Sequence, residues 1–452
     1  MLPFTLLLLC GIYLSVKSRF SQITRFPDSI RFMAKALHSK KQGEGINSYQ
    51  AACTALSATV GTGNIAGIAG ALSIGGAGAI FWMWVSGVAG MCVKAAEIIL
   101  AVSYREKSDD AVMGGPMYYI KNGLPKALKP LAAAFCIASV PAVFCSGNIT
   151  QSNAAVLSLG GGRTVKIVAG IILTLLTYTA ITGGIKRIGV ITEKIVPVMS
   201  VLYVILSLST VILNIDFLPQ AFKMIIEGAF SPKAVTGGAV GSVMTAALIG
   251  AQRGVFSNEA GLGTSAMAHA AAYDADPKTQ GLFGIFEVFV DTILLCTLTA
   301  LAVLCSGVTI TYGTASSSEL VVSALSQVFG NLAAPIISVM LCLFAFSSII
   351  GWAVYGSICV GFLFGKRGEK IFLKLYPLGC LAGALANVKL AWDLSAFFNG
   401  IMMCINLPSI IFLSSNAIKY LKKEENHNVS GKNNGFKQYF RGRSGGADNK
   451  RC

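Results

Sequence analysis

Two runs of closely spaced glycines and small polar residues interrupt otherwise apolar segments: Ala55-Leu-Ser-Ala-Thr-Val-Gly-Thr-Gly-Asn-Ile-Ala-Gly67 and Gly254-Val-Phe-Ser-Asn-Glu-Ala-Gly-Leu-Gly-Thr-Ser265. Glycine costs a helix interior about 1 kcal/mol relative to alanine, so each cluster weakens a helix at one place. Unwinding at Gly61-Thr-Gly-Asn64 frees N–H groups at a half-helix start, which can receive an anionic group. It also frees carbonyls, and small hard cations prefer oxygen ligands. From the residues alone, a close helix–helix contact through small side chains is an equal reading. Two hydroxyls, Ser347 and Ser348, lie within the apolar run LCLFAFSSIIGWAVYG; back-bonding to the carbonyl four residues earlier is their bland role. Gln151 lies in the polar run Ser146 to Asn153, where an uncharged amide is ordinarily helix–helix glue.

Ionisable residues at membrane depth are functional candidates by default. Glu259 at the second glycine run is one; pairing with Arg253 to hold the shape of the run is its other reading. Lys94 and Glu97, spaced i,i+3, predict an internal ion pair. Glu287 and Asp291, spaced i,i+4, share a helix face, where like charges repel; one of them is then protonated, paired elsewhere or wet. No HExxH, GxSxG or CxxC occurs, so an enzyme is not expected. Neither is a metal cofactor, because only three histidines are present and most of the twelve cysteines lie in apolar runs as small buried hydrophobes.

The elements that position these residues follow from composition. Of 452 residues 54% are hydrophobic and 12% charged. Soluble domains carry about 25% charge, and disordered chains are poor in apolar residues. The class is therefore an all-α polytopic membrane protein. The net charge of +16 does not point to nucleic acid, because the basic residues cluster outside the apolar runs: seven between Lys17 and Glu44 and nine from Lys419 onward. The basic tail can also touch anionic membrane lipid.

Apolar segments fall at about 2–16, 48–72, 76–103, 131–158, 165–183, 195–213, 238–270, 281–307, 326–364, 371–387 and 394–416, predicting eleven spans. With the N-terminus outside and the C-terminus cytoplasmic, inside loops and the tail hold 28 basic residues against five outside. That split is the positive-inside pattern. Charge follows the first apolar run instead of preceding it, which argues against a cleaved leader. The expected organisation is an N-terminal helix and basic segment (1–47), five spans (48–213), an extracytoplasmic connection (214–237), five further spans (238–416) and a disordered basic tail (417–452). Five is odd, so the two blocks have opposite orientation. Glycine-interrupted helices opening both blocks are a sequence pointer to a secondary transporter's midplane site.

Ala55 to Gly67, Gly114 to Ile120 (GGPMYYI), Gly183 to Ile188 (GGIKRI), Arg253 to Gly263 with the following His269-Ala-Ala-Ala, and Leu343 to Trp352 closely resemble the sodium:alanine symporter family. The resemblance runs from about residue 6 to 416 with the motifs in order. It implies a leucine-transporter-like fold, a five-plus-five inverted repeat after one extra helix; the chain departs from the family in lacking a stretch that members have before the first span. The implied activity is sodium-coupled uptake of a small neutral amino acid such as alanine or glycine across a bacterial or archaeal inner membrane. Proton coupling, or another amino acid such as serine, D-alanine or glutamine, stands as the alternative. Na+ is the implied coupling ion. The resemblance places the substrate at Gly61, Thr62, Gly63, Asn64, Gln151, Phe256, Ser348 and Trp352. By the same resemblance sodium lies among the carbonyls of Ser57, Val60 and Phe344 and the hydroxyls of Ser347 and Ser348. Trp352 is expected to wall the pocket, with Phe256 and Leu157 setting its volume. The Gly114 motif is given a gating or structural role.

Overall fold

The computed structural model describes residues 2–38, 45–108, 111–230, 243–313, 318–386 and 388–422. Apart from one short hairpin the described chain is helical, because a backbone in hydrocarbon must satisfy its polar groups within the segment. The helices before the first glycine run are α1 (Leu2–Lys17), α2 (Ser21–Thr24) and α3 (Phe26–Leu37). Asn47 then starts α4 (Ser48–Thr59): its side chain accepts from Gln50 N at 2.8 Å while Gln50 Oε1 accepts from Asn47 N at 3.2 Å. That capping box satisfies two orphan donors at once. A 3-10 turn (Thr62–Asn64) separates α4 from α5 (Ala66–Gly75), and the chain bends by 52° there.

α6 (Gly78–Ser103) is the central helix, with 89% of its most apolar stretch buried. A two-stranded antiparallel hairpin, β1 (Glu106–Ser108) and β2 (Ala111–Met113), leads into α7 (Pro116–Gly123). α8 (Leu131–Phe144) and α9 (Thr150–Ser158) are joined by a π-helical stretch, Cys145–Ile149. α10 (Arg163–Ile181) and α11 (Gly184–Leu213) lie at the periphery with only 28% and 33% of their apolar stretches buried. Leu175, Val198 and Ile205 are at least half exposed there; lipid is as apolar as leucine, so no penalty attaches.

α12 (Leu218–Phe230) precedes the second broken pair, α13 (Val243–Asn258) and α14 (Thr264–Ala270). α15 (Pro277–Val288) runs through a second π-helical stretch, Phe289–Cys296, into α16 (Thr297–Cys305). α17 (Ser318–Phe329), α18 (Ala333–Leu375), α19 (Leu378–Leu385), α20 (Val388–Phe412) and α21 (Ser414–Leu421) complete the chain. Among the described residues seven helices are long and apolar enough to span a membrane, eight with the bent α4–α5 pair.

Four expectations change. The stretch 184–194 is no loop but the first three turns of α11. The segments 326–364 and 371–387 divide at Gly365, where φ is +67 inside α18, and again before α19. The connection 214–237 contains α12, and residues 231–242 lie outside the described residues. The tail begins as helix α21, with residues 423–452 outside the described residues. In each case apolar-run statistics mark where hydrocarbon begins, while a helix continues until its own ladder ends. The eleven described cysteines are all free, nine of them buried.

Candidate functional site

The first break is held open by side chains. In a continued helix, Gly61 N–H would close onto Ser57 O and Thr62 N–H onto Ala58 O. Instead Gly61 N donates to Asn64 Oδ1 at 2.8 Å, and Thr62 N donates to Gln151 Oε1 at 3.1 Å. Thr62 Oγ1 donates to the same Gln151 oxygen at 2.8 Å. The ladder bonds to Ser57 and Ala58 are therefore not made, and α4 ends in carbonyls without helical donors. That end carries the negative pole of the half-helix dipole.

α18 crosses this carbonyl end. A Cβ on Gly351 would sit 2.5 Å from Ser57 Oγ, and one on Gly61 would sit 2.5 Å from Ser348 Oγ. The hydroxyls of the serine pair differ. Ser347 Oγ donates back to Phe344 O at 2.9 Å, three residues earlier, whereas Ser348 Oγ reaches across to Val60 O at 3.5 Å. Ser57, Val60 and Ser348 thus meet at one helix crossing, whereas Ser347 Oγ, bonded to Phe344 O, also lies 3.4 Å from Met199 Sδ on α11. Their oxygens are neutral carbonyls and hydroxyls, a donor set that suits a monovalent hard cation. No cluster of three His, Cys, Asp or Glu side chains suited to a transition metal occurs among the described residues.

Beside the crossing lies a narrow cleft with room for about one water molecule, about 10 Å³. Gly61, Gly63 and Gln151 line one side and Phe256 and Trp352 narrow it. Phe256 packs on Trp392 with ring centroids 4.5 Å apart, and Trp352 packs on Tyr355 at 5.7 Å. Gly147, in the π-helical stretch, lets Trp352 approach: a Cβ there would fall 2.3 Å from the indole. Of the residues predicted for this site, Gly61, Gly63, Gln151, Phe256 and Trp352 line the cleft. Thr62 turns to Gln151 and Ser348 lies at its edge against Gly61. Asn64 faces away: its Nδ2 donates to Asp291 Oδ1 at 2.8 Å and Ser257 Oγ at 3.1 Å. Leu157 is not part of it, being 44% exposed and not on the cleft wall. Ser146, Glu259 and Asn399 also line the cleft. Asn399 was missed, although a lone amide in the apolar run Ala396-Phe-Phe-Asn-Gly-Ile-Met402 is the signal that would have found it.

The family model described as the sodium:alanine symporter family matches residues 1–438. The chain belongs to that family. A sodium/alanine symporter of Methanococcus maripaludis is 37% identical over 93% of this chain and 94% of its own length. A probable sodium/glutamine symporter of Bacillus subtilis is 36% identical over 94% and 88%. The crystal structure of MhsT in complex with L-phenylalanine superposes with a TM-score of 0.58 at 14% identity, covering 86% of this chain and 94% of that one. The fold is leucine-transporter-like, and this multi-pass membrane protein is a sodium-coupled amino acid symporter rather than an enzyme.

In this symporter the second break carries the buried charges. α13 stops at Asn258 because Glu259 turns into the left-handed region (φ +58), followed by Gly261 (φ +89) and Gly263 (φ +74). Gly263 is required twice over, since a Cβ would also fall 2.3 Å from Pro116 of the Gly114 motif. Lys94, fully buried, donates to Asn258 O at 3.0 Å and pairs with Glu287 at 3.2 Å. The predicted pairing of Lys94 with Glu97 is not made: the ammonium satisfies the carbonyl end of α13, and Glu97 accepts from Asn406 Nδ2 at 2.7 Å. The alternative pairing of Glu259 with Arg253 is not made either. Its positive φ turns Glu259 to Thr264, which donates at 2.5 Å, and Arg253 stacks on Trp392.

The repulsion expected between Glu287 and Asp291 is resolved by separate partners. Glu287 lies 2.7 Å from His269 Nε2 as well as against Lys94. Asp291 accepts from Asn64 and, at 2.8 Å, from Thr292. Asn258 Nδ2 donates to Thr292 Oγ1 at 3.0 Å, so Asp291 ties the first break to the second. Asn406 also donates to Gly261 O at 3.0 Å and accepts from Tyr119, which docks the Gly114 motif onto the second break.

Proposed function

We propose that this symporter carries a small neutral amino acid, alanine or glycine, inward with sodium by alternating access. The observation that supports it most is the meeting of two broken helices at one cleft that two aromatic rings keep narrow. The substrate carboxylate takes the Thr62 N–H and hydroxyl, which Gln151 Oε1 now accepts, and Gln151 turns its amide N–H toward it. Backbone donors at a half-helix start suit an anion. Phe256 and Trp352 limit the side chain to about a methyl group. When bound, sodium supplies a positive charge at the carbonyl end of α4 among Ser57, Val60, Phe344, Ser347 and Ser348. Those five residues straddle α4 and α18, so filling the crossing holds the two helices together.

In this reading the protein sits in a bacterial or archaeal inner membrane, N-terminus outside and C-terminus cytoplasmic. Eleven spans comprise one leading helix and two inverted blocks of five, at 48–213 and 238–416. No cofactor is involved. The basic tail touches lipid.

The test is uptake of labelled alanine into proteoliposomes, with competition by glycine, serine, D-alanine and glutamine. Uptake follows an inward sodium gradient and is competed best by glycine. Uptake driven by a pH gradient without sodium, or competed best by glutamine, overturns the reading. Ser348→Ala removes one oxygen from the crossing. A hydrogen bond or ligand contact to a charged group contributes about 1.5–3 kcal/mol, so the sodium concentration for half-maximal uptake rises by roughly tenfold or more. An unchanged sodium dependence rejects the cation assignment.

A further inference from the structure

We infer that Asn399 reads the ammonium group of the substrate, through a side-chain oxygen that the protein itself leaves without a partner. The inference rests on the proposed function and adds to it a residue on α20. Asn399 is 8% exposed and lines the same cleft as Gly61 and Gln151. Its Nδ2 donates to Ser146 Oγ at 3.1 Å and lies 3.5 Å from Ser395 Oγ. Those two hydroxyls are hydrogen-bonded to each other, so the nitrogen end of the amide is engaged by a fixed pair. Asn399 Oδ1 has no hydrogen-bond partner.

A buried acceptor without a donor costs about 1–3 kcal/mol, and buried polar groups are normally satisfied. Asn399 lines the proposed substrate cleft, so its orphan oxygen is left to a donor that arrives with the substrate. The chemistry of that donor follows from the cargo. Alanine and glycine carry an acceptor at one end, the carboxylate, and donors only at the other, the ammonium. The donors around the first break serve the carboxylate end. The other side-chain carboxyl and amide acceptors on the cleft wall are engaged: Glu259 takes the Thr264 hydroxyl at 2.5 Å and Gln151 Oε1 takes the Thr62 hydroxyl at 2.8 Å. Asn399 Oδ1 remains for an ammonium N–H. Its neutrality suits a zwitterion that enters beside a cation, since Asn399 leaves no charge of its own in the cleft when the substrate departs.

The experiment uses the full chain in proteoliposomes and in detergent, with Asn399→Ala and Asn399→Asp. The probes are alanine and lactate, which has the same frame with a hydroxyl in place of the ammonium. Asn399→Ala raises the alanine KM about tenfold, leaves the sodium half-saturation unchanged and shrinks the preference for alanine over lactate by the same factor. Asn399→Asp, which keeps an acceptor, recovers the alanine KM to within about threefold of the wild type. An alanine-over-lactate preference unchanged in Asn399→Ala, or an aspartate variant no better than the alanine variant, overturns the inference. A variant too poor in uptake is read in detergent by the alanine-induced rise in melting temperature, which grows with ligand over Kd; a rise equal to the wild type's also overturns it. Wild-type protein without sodium-dependent alanine uptake would instead defeat the proposed function, and the alanine–lactate comparison keeps the two failures apart.

Discussion

Replacing Lys94 with alanine destabilises the protein by roughly 3–5 kcal/mol, the cost of removing one partner from a buried ion pair. The ammonium is fully buried, holds the terminal carbonyl of α13 and neutralises Glu287 at 3.2 Å. Without it, Glu287 keeps His269 but loses its nearest fixed cation, and Asn258 O loses its donor. Thermal unfolding in detergent measures the loss as a depressed melting temperature. The double variant Lys94→Met with Glu287→Gln removes both charges and so loses clearly less than the two single variants added together. A Lys94→Ala protein that melts with the wild type would show that the ammonium does not hold the second break.

Gly61→Ala severely impairs coupled transport while leaving the fold intact. Gly61 has φ −139 and ψ −164, an extended conformation open to any residue, so the backbone is not strained by a side chain. The added Cβ instead meets Ser348 Oγ at 2.5 Å and Gln151 Oε1 at 3.1 Å. The serine hydroxyl must rotate away from Val60 O, and the amide must withdraw from Thr62. Both are contacts of the proposed cation and carboxylate positions, so alanine uptake at limiting sodium falls by about a hundredfold, or ~2.7 kcal/mol. Gly67→Ala is the matched control: its Cβ meets nothing within 4 Å, and alanine is the better helix former there. Gly67→Ala therefore transports normally and melts no lower. Equal uptake by the two variants would remove the Gly61 crossing from the mechanism.

The Gly61 and Gly261 breaks were legible in the sequence as one of two equal readings, since a glycine cluster weakens a helix but also permits a close helix–helix contact, and the family motifs decided between them. The serine pair was legible as a feature, but its roles were not. Ser347 turns to its own helix and Ser348 to the partner helix, a choice set by which face of α18 meets Gly61. The charged residues were legible only as candidates. Spacing paired Lys94 with Glu97, yet the carbonyl end of α13 and Glu287 offered the ammonium two partners in place of one. Asn399 was legible only as a lone amide in an apolar run, a signal that marks a candidate but names none of its partners.

By itself the sequence determined the membrane class, the positive-inside loop bias, the places where helices fail and the family. The first three follow from residue-by-residue transfer energies and local helix propensity, which act over a few neighbours along the chain, and the family from the resemblance of five motifs in order. Only the tertiary structure decided that Gln151 caps the first break, that Lys94 caps the second, that Asp291 joins them and that Leu157 stays outside. Those are contacts between residues tens to hundreds of positions apart, and they are fixed by which helix faces pack together once the hydrocarbon has forced every span to close its own ladder.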